Sequence, residues 1–155
     1  MKILLAVDSS AYSDFAMAEL IKRPWPPDSE IKVITVAEMP IPVGMGQWAI
    51  LPDDLLDLEK SVNKAAQQVL DNALLKLSII DDKTLKFSSE LVQGQPGQAI
   101  VEEAERWGAD LILMGSRGLG AWNRLLLGSV SSAVVHHAKC SVEVVRMPQP
   151  KKPDE

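Results

Sequence analysis

The chain has 155 residues, 46% hydrophobic and 24% charged. That suits one globular domain of about 100–150 residues and excludes a wholly disordered or fibrous chain. Asp and Glu outnumber Lys and Arg by 21 to 16, giving a net charge of −5, so no nucleic acid is expected as the main partner, because phosphate-backbone binding needs a basic face. The lone cysteine, Cys140, excludes an internal disulfide and a cysteine-based zinc site. The adjacent His136 and His137 do not share a helix face as i,i+4 metal ligands would. No apolar run approaches the roughly 20 residues of a membrane span. Met1 to Asp8 resembles a signal peptide only in its first five residues, and Asp8 ends the run too early. The expectation is a cytoplasmic protein with no membrane segment.

Ile3 to Val7 is continuously apolar, the pattern of a strand buried on both faces of a parallel sheet. Asp8-Ser9-Ser10 supplies helix-capping residues. Phe15, Ala18, Leu20 and Ile21 offer an apolar helical face, and Pro24, Pro26 and Pro27 end that helix. Ile31 to Ala37 reads as a second, β-branched strand. Met39 to Pro52, with three prolines, two glycines and Trp48, reads as a long loop, more often functional or mobile than inert. Asp53 to Leu77 is the longest predicted helix. Leu55, Leu58, Val62, Ala65, Val69, Ala73 and Leu77 recur at spacings of three and four and predict its buried stripe.

Leu85 to Val92 predicts a third strand. Gly94 and Pro96 turn the chain, and Gln98 to Trp107 predicts a short helix buried through Ile100, Ala104 and Trp107, with Gly108 as its C-cap. Asp110 to Met114 predicts a fourth strand, Gly115 to Gly128 a glycine-bearing loop, Ser129 to about Ala138 a helix, and Ser141 to Arg146 a fifth strand. Met147 to Glu155 carries three prolines and four charges in nine residues, so the domain is expected over 1–147, with 148–155 a disordered tail.

Strands alternating with helices imply right-handed crossovers and an α/β fold with an open, mostly parallel, five-stranded sheet covered on both faces. Ligands of such sheets sit beyond the carboxyl ends of the strands, where strand order reverses. Asp8, Val36-Ala37 and Gly115 should therefore converge. The loop Gly115-Ser116-Arg117-Gly118-Leu119-Gly120 and onward to Gly128-Ser129-Val130-Ser131 follows a buried strand and precedes a helix. Glycine allows close approach to backbone N–H groups, and the helix start near Ser129 adds free N–H groups and a positive dipole end. The Ser129 and Ser131 hydroxyls can donate to phosphate oxygens. The spacing is G-x-x-G-x-G rather than G-x-G-x-x-G, and no Gly-Lys-Ser/Thr follows. From composition alone, glycines that merely shape a turn and a Ser129 that merely caps a helix fit equally well.

Gly115-x2-Gly118-x9-Gly128-Ser129 resembles the nucleotide-binding pattern G-x2-G-x9-G-[ST] of the universal stress protein family. The surrounding segments resemble it too: Ile3 to Asp8, the Gly94-Gln95-Pro96 turn running to Ile100, Asp110 to Ser116, Arg124 to Val130, and His137 to Arg146. The likeness extends from residue 1 to about 147. It implies strand order 3-2-1-4-5 in a Rossmann-like sheet of the adenine nucleotide alpha hydrolase type, with an adenine nucleotide, usually ATP, at the strand ends. By this resemblance the binding residues would be Ala6, Val7, Asp8, Val36, Met114, Gly115, Arg117, Gly118, Gly128, Ser129, Val130 and Ser131. Val36 would offer its backbone to adenine, and Asp8 would lie near ribose, phosphates or a divalent ion, Mg2+ or Mn2+. This chain departs from the family pattern at Ser9, where glycine is common, at Arg117, where histidine is common, and at Lys139 and Ser141 in place of prolines. Arg117 could add a phosphate contact or only a surface charge.

Asp8 could also only cap the first helix. Cys140 before an apolar strand reads as a buried small residue rather than a nucleophile. His136 and His137 near a helix C-terminus have no partner for a general-base role. Met45, Trp48 and Trp122 could cover the base, meet a partner or pack on their own segments. The functional expectation is a stress-response or signalling protein that holds ATP without fast turnover. The alternative is a slow ATP hydrolase or another nucleotide-processing enzyme, although no Walker lysine and no water-positioning base is evident. A homodimer through the last strand, Ser141 to Arg146, is also expected, because that strand is an unblunted apolar sheet edge.

Overall fold

The structure is a computed structural model that describes residues 1–39, 52–118 and 127–148. The expectations for Met45, Trp48 and Trp122, and for nearly all of the 148–155 tail, fall outside the described residues. The elements in chain order are β1 (Lys2–Ala6), α1 (Ala11–Lys22), β2 (Glu30–Ala37), α2 (Pro52–Leu77), β3 (Lys86–Gln93), α3 (Pro96–Trp107), β4 (Leu111–Gly115), α4 (Ser129–His137) and β5 (Ser141–Val145). The strands form one sheet, order β3-β2-β1-β4-β5, with every pairing parallel. Both the class and the order match the expectation.

Side chains alternate across the sheet and divide the core in two. Ile3, Leu5, Ile31, Val33, Leu111 and Leu113 pack with α1 and α2. Leu4, Ile34, Ile112 and Met114 pack with α3 and with Val134 of α4. The central strand β1 is closed to solvent at Ile3, Leu4 and Leu5, as its unbroken apolar run requires. Local chemistry sets the helix ends. Ser10 caps α1 by accepting the Ser13 N–H on Oγ at 3.2 Å. Gly108 closes α3 in the left-handed region at φ 72°, a conformation that costs glycine little.

The stripe predicted for α2 needs correction. Its buried residues are Ala66, Leu70, Ala73 and Leu77, whereas Ala65 and Leu55 are exposed and Leu58, Val62 and Val69 are only half-buried. The reason is length. Twenty-six helical residues rise about 39 Å at 1.5 Å each, while the eight of β2 span about 26 Å at 3.3 Å each. The N-terminal half of α2 therefore runs past the sheet, and only the C-terminal half has a surface to bury against.

Among the described residues two charged side chains, Lys32 and Glu103, lie buried in this architecture. Lys32 of β2 donates to Glu103 Oε1 of α3 at 2.6 Å and also pairs with Glu90 of β3. Arg106 closes the network, donating from Nε to Glu103 at 2.7 Å and from Nη2 to Glu90 at 2.6 Å. Glu103 is 3% exposed at its side chain, so the two cations make its burial tolerable. Among the described residues no helix is long and apolar enough to cross a membrane.

Candidate functional site

The strand order reverses at β1, whose neighbours are β2 and β4. A cavity of about 380 Å³ opens there, within the range of about 300–1,000 Å³ common for small-molecule sites. β1 and the turn after it contribute Ala6, Val7 and Asp8. β2 contributes Val36, and β4 contributes Met114 and Gly115. Arg117, Gly118 and Gly128 come from the two described ends of the glycine loop, and Ser129, Val130 and Ser131 from the first turn of α4. Every site residue expected from the sequence thus lines one cavity.

Strand geometry aims Val36 at this space. Along a parallel strand, backbone groups point alternately to the two neighbours. Ile34 C=O accepts the Val7 N–H at 2.9 Å, on the β1 side, and Ala37 C=O accepts the Gly94 N–H at 3.2 Å, on the β3 side. The alternation directs the Val36 N–H and C=O toward β1. The β1–β2 pairing stops at Ala6 opposite Ile34, so these groups face the cavity, one donor beside one acceptor.

The motif glycines are required by different neighbours. A Cβ at Gly115 would lie 2.7 Å from the Tyr12 carbonyl carbon and oxygen and 2.9 Å from the Ser13 nitrogen; this glycine lets α1 seat against the end of β4. A Cβ at Gly118 would lie 2.7 Å from Asp8 Oδ2, so its bare backbone keeps the space beside the carboxylate open. A Cβ at Gly128 would come within 3.3 Å of Arg117 Cα. The Gly128 N–H also donates to Ser116 C=O at 2.9 Å, which clasps the two ends of the loop together.

Gly128 is the N-cap of α4 and provides no side-chain acceptor. The first-turn N–H groups of a helix lack intrahelical partners, and here they open onto the cavity with the positive end of the dipole. The structure corrects one role. Ser131 is buried, and its hydroxyl lies 2.9 Å from Ser116 C=O and 3.1 Å from Gly128 C=O. Its single proton is therefore engaged by backbone, and Ser131 can serve a ligand through its N–H but not by donating its hydroxyl. Ser129 is exposed at the cavity wall.

Asp8 is not the cap of α1, which is Ser10. Asp8 Oδ1 accepts from Ser10 N–H at 2.9 Å and from Ser10 Oγ at 2.5 Å, and Asp8 N–H donates to Ser13 Oγ at 3.1 Å. These bonds orient the carboxylate and leave Oδ2 toward Gly118. Arg117 donates from Nη1 to Tyr12 Oη at 3.0 Å, with its guanidinium carbon 5.4 Å from the Tyr12 ring centre. Among the described residues no cluster of three or more His, Cys, Asp or Glu could hold a metal on its own. One carboxylate oxygen beside phosphate-sized space nevertheless fits a hard cation that takes its remaining ligands from phosphate and water.

A larger cavity, about 640 Å³, adjoins along α3 and α4 and shares Glu38, Pro96, Ser129 and Val130 with the first. It lacks Asp8, Val36 and the loop glycines, so its size does not make it the better candidate. Cys140 is half-buried, and burial pushes its thiol up from the ordinary value, which disfavours a nucleophile. His136 and His137 each turn Nδ1 onto a carbonyl of their own helix, at 2.7 and 2.8 Å.

The sequence profile of the universal stress protein family matches residues 1–146. The chain belongs to the universal stress protein family. It is 30% identical over 151 residues to the universal stress protein MJ0531 of Methanocaldococcus jannaschii, covering 96% of this chain and 83% of that one. Among solved structures, the hypothetical protein MJ0577, the subject of a structure-based assignment of biochemical function, superposes with a TM-score of 0.78 at 24% identity, covering 96% and 97% of the two chains. A universal stress protein family protein from Arabidopsis thaliana with AMP bound gives 0.65 at 21% identity, covering 100% and 97%. A universal stress protein in complex with cAMP gives 0.64 at 22%, covering 94% and 96%.

In this universal stress protein the cavity wall also includes Ser13, Ile34, Glu38, Pro96 and Ile100, which sequence reasoning missed. Ile34 was within reach, because it shares the β2 face with Val36 at a spacing of two, and Glu38 follows just past the strand end. Pro96 and Ile100 enter through the placement of α3 beside α4, which no local signal encodes.

Proposed function

We propose that this universal stress protein binds an adenine nucleotide, ATP foremost, at the cavity between the carboxyl ends of β1 and β4, and acts in stress response or signalling in the cytoplasm by holding it without fast turnover. The observation that carries this reading is the meeting of Asp8, Val36, the Gly115–Gly118 turn and the α4 N-terminus around one cavity. Val36 offers adenine a backbone donor beside an acceptor, complementary to the N6 amine and N1. The α4 first turn and the Gly118 backbone receive phosphate. Asp8 holds a nucleotide-bound Mg2+ or Mn2+, which removes the repulsion between a carboxylate and a triphosphate. The AMP and cAMP carried by the two fold relatives support an adenine nucleotide here. Among the described residues the wall offers no lysine and no engaged base to drive hydrolysis.

Calorimetric titration with ATP in magnesium, together with identification of any nucleotide that copurifies, tests the reading. Saturable binding with micromolar-class affinity, about −8 kcal/mol, is the expected result. Absence of binding overturns it, and sustained steady-state phosphate release replaces it with the hydrolase reading.

A further inference from the structure

We propose that Tyr12 is a positioning residue for Arg117, and that this pair makes the cavity select nucleotides by phosphate-chain length, favouring di- and triphosphates over the monophosphate. The inference rests on the nucleotide-binding reading above and adds a selectivity that the motif does not contain. Among the described residues that line the cavity, Arg117 is the one Lys or Arg, set against Asp8 and Glu38. A single phosphate is served by the α4 first turn. Each further phosphate brings more negative charge toward Asp8, and the positive charge that Arg117 carries on this wall offsets it.

The guanidinium is held in place from outside the cavity wall. Tyr12 is half-buried, and its backbone is seated so closely on Gly115 that a Cβ there would lie 2.7 Å from Tyr12 carbonyl atoms. From that seat its ring stands 5.4 Å from the guanidinium carbon, and its hydroxyl accepts from Nη1 at 3.0 Å. A planar fork oriented beforehand loses less side-chain freedom when it engages phosphate. The first motif glycine therefore acts on the phosphate end indirectly, by fixing the residue that fixes Arg117.

The test is calorimetric titration of ATP, ADP and AMP in magnesium at one ionic strength. The proteins are the parent, Arg117→Ala, Arg117→Lys, Tyr12→Leu, and Tyr12→Leu combined with Arg117→Ala, each checked for a native melting transition. The expected result is an ATP-to-AMP affinity ratio lower by about tenfold in Arg117→Ala and by about threefold in Tyr12→Leu, with Arg117→Lys between them. Tyr12→Leu should lower the ratio no further once Arg117 is gone. An unchanged ratio in Arg117→Ala, or a Tyr12 effect that persists without Arg117, overturns the pairing while leaving nucleotide binding intact. A parent that binds none of the three nucleotides overturns both.

Discussion

Gly115 and Gly118 stand three residues apart in one motif, yet substitution at the two should separate stability from binding. A Cβ at Gly115 meets backbone atoms of Tyr12 and Ser13 at 2.7–2.9 Å, and backbone cannot rotate away. Gly115→Ala should therefore displace α1 and cost roughly 1–3 kcal/mol, read as a lower urea midpoint. A Cβ at Gly118 meets only the end of the Asp8 side chain. Gly118→Val should leave the urea midpoint near that of the parent but crowd the phosphate space, lowering ATP affinity at least about tenfold. Equal urea midpoints for Gly115→Ala and the parent would refute the packing role, and unchanged affinity in Gly118→Val would refute the site. Asp8→Asn should lose most of the magnesium-dependent gain in ATP affinity; tighter binding than the parent in magnesium would remove the ion from Asp8 and leave it as the residue that orients Ser10. The motif positions were legible because glycine spacing is itself sequence. The Ser131 hydroxyl was not, because whether a serine faces ligand or backbone depends on how the loop ends are clasped through Ser116.

The strands were legible to within a residue or two because burial on both faces leaves an unbroken apolar run, as in β1 and β4. The α2 stripe was less so: periodicity reports that a helix has an apolar face, not how far the sheet beneath it extends. The Lys32 network was hidden for a related reason, since Lys32, Glu90, Glu103 and Arg106 come from three elements that only the tertiary fold brings together. Its electrostatics give a pH dependence with a definite sign. Lys32 holds Glu90 below the ordinary carboxylate value of 4.5, with burial opposing and Arg106 assisting. Burial alone would lower the Lys32 ammonium, but hydrogen bonds to Glu103 and Glu90 outweigh it and the net shift is upward. A carboxylate lowered in the fold contributes stability above its unfolded value and loses it as pH falls through the folded value. The raised lysine contributes below its unfolded value and loses that contribution as pH rises through its folded one. The urea midpoint should therefore fall as pH drops below about 4.5, and the fall should be shallower in Glu90→Gln. The same slope in parent and variant would show that the network does not set acid stability. Lys32→Met removes a cation from the buried Glu103 and should cost roughly 3 kcal/mol, with Arg106 retained as its remaining partner.

At the scale of the whole molecule, the sheet ends in two parallel edges, β3 and β5, and we propose that β5 is closed by the β5 strand of a second copy. The ladder shows which groups remain to be paired. Ser141 N–H donates to Asp110 C=O at 3.3 Å, and Val145 C=O accepts from Ser116 N–H at 2.8 Å, so alternate residues beginning at Ser141 bond inward to β4. Val142 and Val144 then turn their N–H and C=O groups outward. Both side chains pack against the α3–α4 face of the core, while Glu143 on the opposite face is gripped by Arg23, whose Nη1 and Nη2 lie 2.7 and 2.5 Å from its two oxygens. The strand thus packs its valines on the core and carries neither proline nor lysine to deter pairing. A two-fold axis would place two such strands antiparallel, with Arg146 against the start of the partner strand. Val144→Pro gives a clean test because the lost N–H points outward and the β4–β5 ladder keeps its own bonds. The parent at micromolar concentration should sediment at twice the 16.9 kDa chain mass, and Val144→Pro should shift toward one chain mass with its melting transition intact. A parent that sediments as a single chain would leave this edge to solvent.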